Sequence, residues 1–531
     1  MWVYNWIYPD GVRIYPAIAQ PLRTWGIGNA ARRISLFVRT IEPHGETSMR
    51  LPKHLPTTLP AHRIWPHALR VLLMIGLALA ILGPVSGLSA AYAAANPPIE
   101  PSLTWNTFLG SANTEIPMAI AVDQNRNVYV AGVSKDSWGI PVRAFSGASG
   151  VNDAFVAKLD PNGALLWNTF LGATLSDLAS AIAVDGSGNV YVTGQSAAAW
   201  GSPLIPHAAG THADTFVAKL NSAGGLEWNT FTGATSQTDG NAICLDGEGN
   251  IYIAGSSSVT WGSPLAAYSG GYDGFAAKLD PSGAWLWHTF LGSAQADRTY
   301  GLAVDDTGNT ILSGRSAATW GSPLASYTGG EDAFVAKLDA DGVLLWHTFM
   351  GSGGSDGANG VALDRNGAIV VSGTSAATWG NPLNAYSGGD DVFVAKMSGD
   401  GGQIWHTFLG SAYNDTLMFD AVAVDNRGRI TVAGTSVATW GSPVIPISGS
   451  GDAFIGQLDT GGGLLWNAFL GTPLEDMGLG VAIDLEGDVY TTGVSISTWG
   501  APVQAFTPNE ADAFAAKISV PRSLFIPVVW R

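Results

Sequence analysis

Cysteine is nearly absent from this 531-residue chain: Cys244 is its only one, so neither a disulfide framework nor a multi-cysteine zinc site is available. Charge is also scarce at 13% of residues, with 25 Lys and Arg against 42 Asp and Glu, a formal net charge of −17. So few basic side chains exclude the clustered cationic surface of a nucleic-acid-binding protein. Sustained helical periodicity is missing from residue 102 onward. What the chain has instead is 68 Gly, 20 Trp and 46% hydrophobic residues, too apolar a composition for a disordered chain.

The first 95 residues differ in kind from the rest. Nine of the 25 basic residues lie there, opposed only by Asp10, Glu42 and Glu46, so the remainder carries a formal charge of −23. From Val71 the sequence reads VLLMIGLALAILGPVSGLSAAYAAANPP, an apolar run behind Arg63 and Arg70 that ends in small residues near Ala93–Ala95. That layout predicts a signal peptide over 49–95, with 1–48 a leader extension or a start assigned upstream of Met49. Export to the cell surface or the medium follows. The alternative is an uncleaved membrane anchor over 71–88, a stretch of eighteen residues broken by Gly83 and Pro84.

The remainder is one unit written seven times. The phrase W-[NH]-[TA]-F-x-G has its Trp at 105, 167, 228, 287, 346, 405 and 466, at spacings of 62, 61, 59, 59, 59 and 61. A second Trp opens W-G-x-P at 138, 200, 261, 320, 379, 440 and 499. Within a unit, Ala181–Asp185, Val190–Gly194, Thr215–Leu220 and Leu226–Phe231 are short runs rich in β-branched and aromatic residues, separated by Gly, Asn and Asp turns. They predict four antiparallel strands, a to d. The region opens with a strand d that has no partner before it and closes with a strand c at Asp512–Ile518 that has no strand d after it. The expected fold is therefore all-β: a seven-bladed propeller over 102–519, closed by strand 102–110 completing the last blade, with a short apolar tail over 520–531. Closure removes the free sheet edges that an open array leaves.

The recurring A-[VI]-D-x-x-G-N-x-Y-x-x-G and D-A-F-V-A-K-L-D-x-x-G-x-x-x-W-x-T-F-L-G resemble the SBBP-type β-propeller repeat of bacterial exported proteins over all seven units. The resemblance implies a seven-bladed propeller and supplies no catalytic residue. Gln457 stands where other units have Lys, and Asn221 where others have Asp.

Each unit places an acid between strands d and a: Glu115, Asp177, Asp239, Asp297, Asp356, Asp415 and Asp476. Another begins strand c: Asp153, Asp214, Asp273, Asp332, Asp391, Asp452 and Asp512. Two readings follow: an acidic loop face that binds cations or basic partners, or carboxylates that cap backbone N–H groups to hold the loops. The a–b turns such as Asp185–Asn189 are fragments of a calcium loop without its full ligand set, and hairpin turn chemistry explains them equally. Serines recurring after strand b, such as Ser196 and Ser316, lack the second Gly and the helix of a nucleophile elbow. His288, His347 and His406 replace Asn at one position, which predicts a shared polar contact. The W-G-x-P tryptophans are expected to wedge adjacent blades, each indole N–H finding a carbonyl. His207 and His212 are two imidazoles without a third ligand. The functional expectation is an exported monomeric scaffold without catalytic residues or cofactor, binding a protein or carbohydrate at the cell surface. The alternative is a lyase or glycoside hydrolase with an asymmetric site at the channel mouth, for which Arg143, Arg298, Arg315 and Tyr413 are the non-repeating candidates.

Overall fold

A computed structural model describes residues 100–521 except 149, 209, 211, 420 and 509. The expectations for 1–48, 49–95, the anchor at 71–88 and nearly all of the tail lie outside these residues. Among the described residues no helix is long and apolar enough to cross a membrane.

Seven antiparallel sheets form, each in the order a-b-c-d. Blade 1 consists of Glu115–Val122, Val128–Ser134, Asp153–Leu159 and Leu165–Leu171, and blades 2 to 6 follow in the same way along the chain. Blade 7 takes strands a, b and c from Asp476–Ile483, Val489–Ser495 and Asp512–Ser519, and strand d from the start of the chain, Ser102–Leu109. Thr107 lies opposite Ala515 and Phe108 opposite Phe514. The predicted closure is thus present, and strand a packs on strand a from blade to blade around the whole circle, which places it innermost.

The repeated residues account for the packing. The Phe of strand c is buried in every blade, as at Phe155, Phe334 and Phe514, and strand b adds Tyr129, Tyr191, Tyr252 and Tyr490. Their apolar area, removed from water between neighbouring blades, supplies the main stabilisation of each interface. Strand a carries a bulge at one place in six blades, as between Thr299 and Gly301, just beyond a carbonyl that approaches strand b. Gly314 sits under that carbonyl, that of Arg298, and a Cβ there would collide with it and with the Phe334 ring.

The outer edge is covered as well. After W-G-x-P the chain runs back along strand d, with Leu324 N–H bonded to His347 O at 2.9 Å and Phe349 N–H to Ala325 O at 3.2 Å. Backbone groups that would otherwise form an open edge are thereby satisfied. The Asn or His of strand d fastens this segment. Asn168 Nδ2 donates to Trp138 O at 2.8 Å, and His347 Nε2 meets Trp320 O at 2.8 Å. Both residue types present one N–H to the same carbonyl, which is why they interchange.

The W-G-x-P tryptophans lie between blades as expected, Trp200 sharing a buried cluster with Ala154 and Leu171 of blade 1, but the carbonyl contact is made by the other series. The strand-d indoles bridge blades: Trp105 Nε1 donates to Pro161 O at 3.0 Å and Trp287 Nε1 to Ala340 O at 3.1 Å, both in the c–d turn of the next blade. The W-G-x-P indoles pack on rings of their own blade, as Trp138 does on Phe155 and Phe170, and all seven Nε1 atoms are buried without a partner. The expected indole–carbonyl contact is therefore absent in this series.

Candidate functional site

The acids that open strands a and c gather at one end of the ring, where strands b and d end. In blade 4, Asp297, Ser316 and Asp332 lie side by side across strands a, b and c. The first acid is therefore the opening residue of strand a, not part of a loop. Glu115, Asp177, Asp297, Asp356, Asp415 and Asp476 are all at most 1% exposed. Asp297 Oδ2 accepts Ser293 N–H at 2.6 Å and the Ser293 hydroxyl at 2.8 Å, while Oδ1 accepts the Ser316 hydroxyl. These bonds fix the d–a loop and the end of strand b, the structural work that the Asp and Ser positions imply.

Asp239 departs from the series. The residue in register in blade 3 is Thr238, opposite Ser257, whereas Asp239 pairs with Ser256, is only partly buried, and receives Gln237 Nε2 at 3.2 Å. Counting from the nearest acid misses this one-residue offset, because threonine fills the same slot.

Burial raises the carboxyl pKa values at this end. Glu115 and Asp177 are pushed up to about 7, and Asp273, Asp391 and Asp512 to about 6, in each case chiefly by removal from water. Except in blade 3, the first acid of each blade also faces the strand-c Asp of the preceding blade, and like charge adds to the shift at Asp512/Glu115, Asp153/Asp177 and Asp391/Asp415.

With the acids below the surface, the face shows two unlike sectors. On blades 3 and 4, Arg298 and Arg315 are cross-strand partners. Arg298 stacks over Tyr272 at 4.6 Å, and Arg315 lies over Tyr300 at 5.5 Å and 3.4 Å from Glu331. Two of the four non-repeating candidates therefore converge with a carboxylate. Arg143 is elsewhere, donating to Phe170 O and Gly172 O at 2.8 and 2.9 Å. On blades 6 and 7 the face carries exposed apolar side chains. Tyr413 is 64% and Leu474 50% exposed, with Val437 and Ile496 also exposed. Inward of these, Met418, Phe419 and Met477 pack against Ile116, Leu479 and Val494 on the inner strands.

Blade 6 creates that apolar wall. Its strand a is broken into Asp415–Thr416 and Val422–Val424, and Leu417, Met418 and Phe419 occupy the gap. The signal in the sequence is the 61-residue spacing between Trp405 and Trp466 against 59 for the three units before it.

The other chemical candidates are engaged in structure. His207 and His212 stack at 5.5 Å between centroids, and their Nε2 atoms meet the carbonyls of Ser196 and Ala234 at 3.1 and 3.0 Å. In the a–b turn, Asp185 Oδ1 accepts Ser187 and Asn189 N–H, both at 2.9 Å, and Oδ2 accepts Asn189 Nδ2 at 2.8 Å. That is hairpin capping. Among the described residues, no group of three or more His, Cys, Asp or Glu is placed to hold a metal ion. Cys244 is partly buried opposite Tyr252.

Residues 167–198 and 227–260 match the family model described as SBBP, a beta-propeller repeat. An uncharacterized WD repeat-containing protein, L264, of Acanthamoeba polyphaga mimivirus is 21% identical over 77% of this chain and 32% of its own length. The regulatory protein FlaEY of Caulobacter vibrioides is 25% identical over 59% of this chain and 35% of its own. The chain thus spans about a third of the length of these curated relatives. Among solved structures, the WD40 beta propeller domain of Doa1 aligns with 80% of this chain and 99% of its own at 9% identity and a TM-score of 0.44.

Proposed function

We propose that this SBBP-type seven-bladed β-propeller is an exported, non-catalytic interaction scaffold that takes a protein or glycan partner on the end of the ring bearing the d–a and b–c loops. The observation that carries this reading is the division of labour at that end. The recurrent acids and serines are consumed in holding the loops, while other groups differ from blade to blade: the exposed Tyr413, Val437, Leu474 and Ile496 in one sector, the partly buried Arg298–Arg315–Glu331 group in the other. A rigid closed frame presenting unlike surface residues is what an interaction platform requires, since ordering costs on binding are small. An exposed aromatic with aliphatic neighbours also has the composition of an interface anchor.

The enzymatic alternative rests on the blade 3–4 sector, where two guanidiniums, a carboxylate and two tyrosines meet. One experiment addresses both. The full chain is screened for binding against glycans, peptidoglycan fragments and purified surface proteins, and for polysaccharide lyase and hydrolase activity. Binding that Tyr413→Asp or Leu474→Asp abolishes supports the scaffold. Activity that Arg315→Ala or Glu331→Gln abolishes, with no binding partner, overturns it.

A further inference from the structure

At the mouth of the central channel one cross-strand pair between strands a and b recurs at the same level in every blade, and its chemistry changes around the ring. In blades 1 and 7 the pair is apolar: Ile116 opposite Val133 and Met477 opposite Val494. In blade 4 it is Arg298 opposite Arg315. Blade 4 is three blades from blade 1 and three from blade 7, so in a closed ring of seven the two guanidiniums stand across the channel from the apolar pairs. Among the described residues no other a or b strand carries a Lys or Arg. Like charges directly opposite each other work against a sheet, so the frame itself does not call for this pair.

The two walls differ in kind. On the apolar side Met118, Met418 and Met477 are partly exposed and pack, with Phe419, against Ile116 and Leu479. The other two methionines among the described residues, Met350 and Met397, are buried in the core between blades. A flexible thioether side chain lets one surface fit apolar groups of different shape. On the polar side Arg298 lies over Tyr272 at 4.6 Å and Arg315 over Tyr300 at 5.5 Å, with Arg315 Nη1 3.4 Å from Glu331 and Asp239 at the matching level of blade 3. Each guanidinium carries five donors, more than one carboxylate accepts. Blade 5 has Gly357 at the level of Arg298. A Cβ there would meet nothing nearer than Arg315 Cβ and Cδ, both at 3.9 Å, so a ligand atom can reach that flank of Arg315.

We propose, resting on the scaffold reading above, that the channel mouth takes a peptide segment of a protein partner, which sets a bulky apolar side chain on the methionine wall and an Asp or Glu carboxylate on the arginine pair, beside Gly357. The planar guanidinium fork matches a carboxylate with two parallel hydrogen bonds. A charged glycan supplies the carboxylate but has no aliphatic or aromatic side chain for the opposite wall. Of the two partner classes, the mouth therefore selects a protein. Both walls stand on inner strands of a closed ring, so little ordering is needed on binding.

The test selects a random-peptide phage library on the immobilised full chain and measures the affinity of the selected peptides, made synthetically, for the wild type and for variants with its unfolding temperature. The selected peptides are expected to share an acid close to a Leu, Met, Phe or Trp. Arg315→Gln should weaken binding about tenfold or more. Gly357→Val, which keeps both guanidiniums and fills the space beside Arg315, should do the same. Leu485→Ser, 68% exposed on an a–b turn at the other end of the ring, should leave binding unchanged. Bound peptide should also slow peroxide oxidation of Met118, Met418 and Met477 severalfold, read by mass spectrometry. The proposal is overturned if no peptide is selected, if the selected peptides lack the acid or bind both variants like the wild type, or if oligogalacturonate, a carboxylated glycan, binds with the same sensitivity to Arg315→Gln and Gly357→Val. A protein partner that depends on Tyr413 and Leu474 but on neither Arg315 nor Gly357 would overturn this inference and leave the scaffold reading standing.

Discussion

Blades 4 and 6 are built from nearly the same repeat, yet they treat the innermost strand differently. In blade 4 strand a is continuous over Asp297–Val304, and its first residues place Arg298 beside Arg315. In blade 6 the strand is interrupted between Thr416 and Val422, and Met418 and Phe419 turn into an apolar cluster shared with blades 1, 2 and 7. Both blades keep the same buried Phe in strand c, the same Ser at the end of strand b, and the same carboxylates. Between these two blades the largest change is at the inner rim and its loops. Function should be sought where repetition stops, and stability where it does not.

That contrast can be broken most severely from inside the frame. Phe334→Ala, in the repeated core of blade 4, is expected to cost about 3–5 kcal/mol in chemical denaturation, through lost burial and the cavity left behind. Gly314→Ala should cost about 1–3 kcal/mol, because its Cβ meets the Arg298 carbonyl and the Phe334 ring. The polar fastening ranks near it. Asn168→Ala leaves the Trp138 carbonyl without its donor and should cost about 1–3 kcal/mol, whereas His347→Asn, which restores what blade 1 uses, should cost under about 1 kcal/mol.

The junction acids sharpen the comparison through pH. Their folded pKa values, about 7 for Glu115 and Asp177, lie above those of unfolded carboxyls, so the folded state binds more protons between roughly pH 4 and 7. Their contribution is fully present below the unfolded pKa and is lost as pH rises through the folded one. The unfolding temperature should therefore fall as pH rises from about 5 to 8, and Glu115→Gln or Asp177→Asn should flatten that fall. Thr238→Asp, which adds the missing acid to blade 3, should steepen it. The smallest expected effect lies on the rim: Tyr413→Ser should change stability by no more than about 0.5 kcal/mol while removing partner binding.

Much of the frame was legible in the sequence because repetition exposes it. The unpaired opening strand at 102–110 and the unfinished strand c at Asp512 could be matched by counting, and the Asn and His alternation at 168 and 347 signalled one shared contact. Burial of Glu115 or Asp297 was not legible. An acid next to glycine reads as a loop residue, and only the register of strand a shows that it is the first rung of the ladder. Asp239 was misplaced for the same reason, since a threonine hydroxyl can replace a carboxylate oxygen as a loop anchor without leaving an acidic trace. The two tryptophan series could not be told apart by composition. Which indole meets a free carbonyl depends on the c–d turn of the next blade, 53 residues on in the case of Trp287 and Ala340.

The most direct test concerns the closure on which the two faces depend. Thr107 and Ala515 are cross-strand partners in blade 7, so a chain carrying Thr107→Cys, Ala515→Cys and Cys244→Ser should form a disulfide between its two ends on mild oxidation. The account predicts a reducible shift to a more compact species on denaturing gels and a raised unfolding temperature in the oxidised form. Two free thiols in the folded, oxidant-treated protein would contradict it.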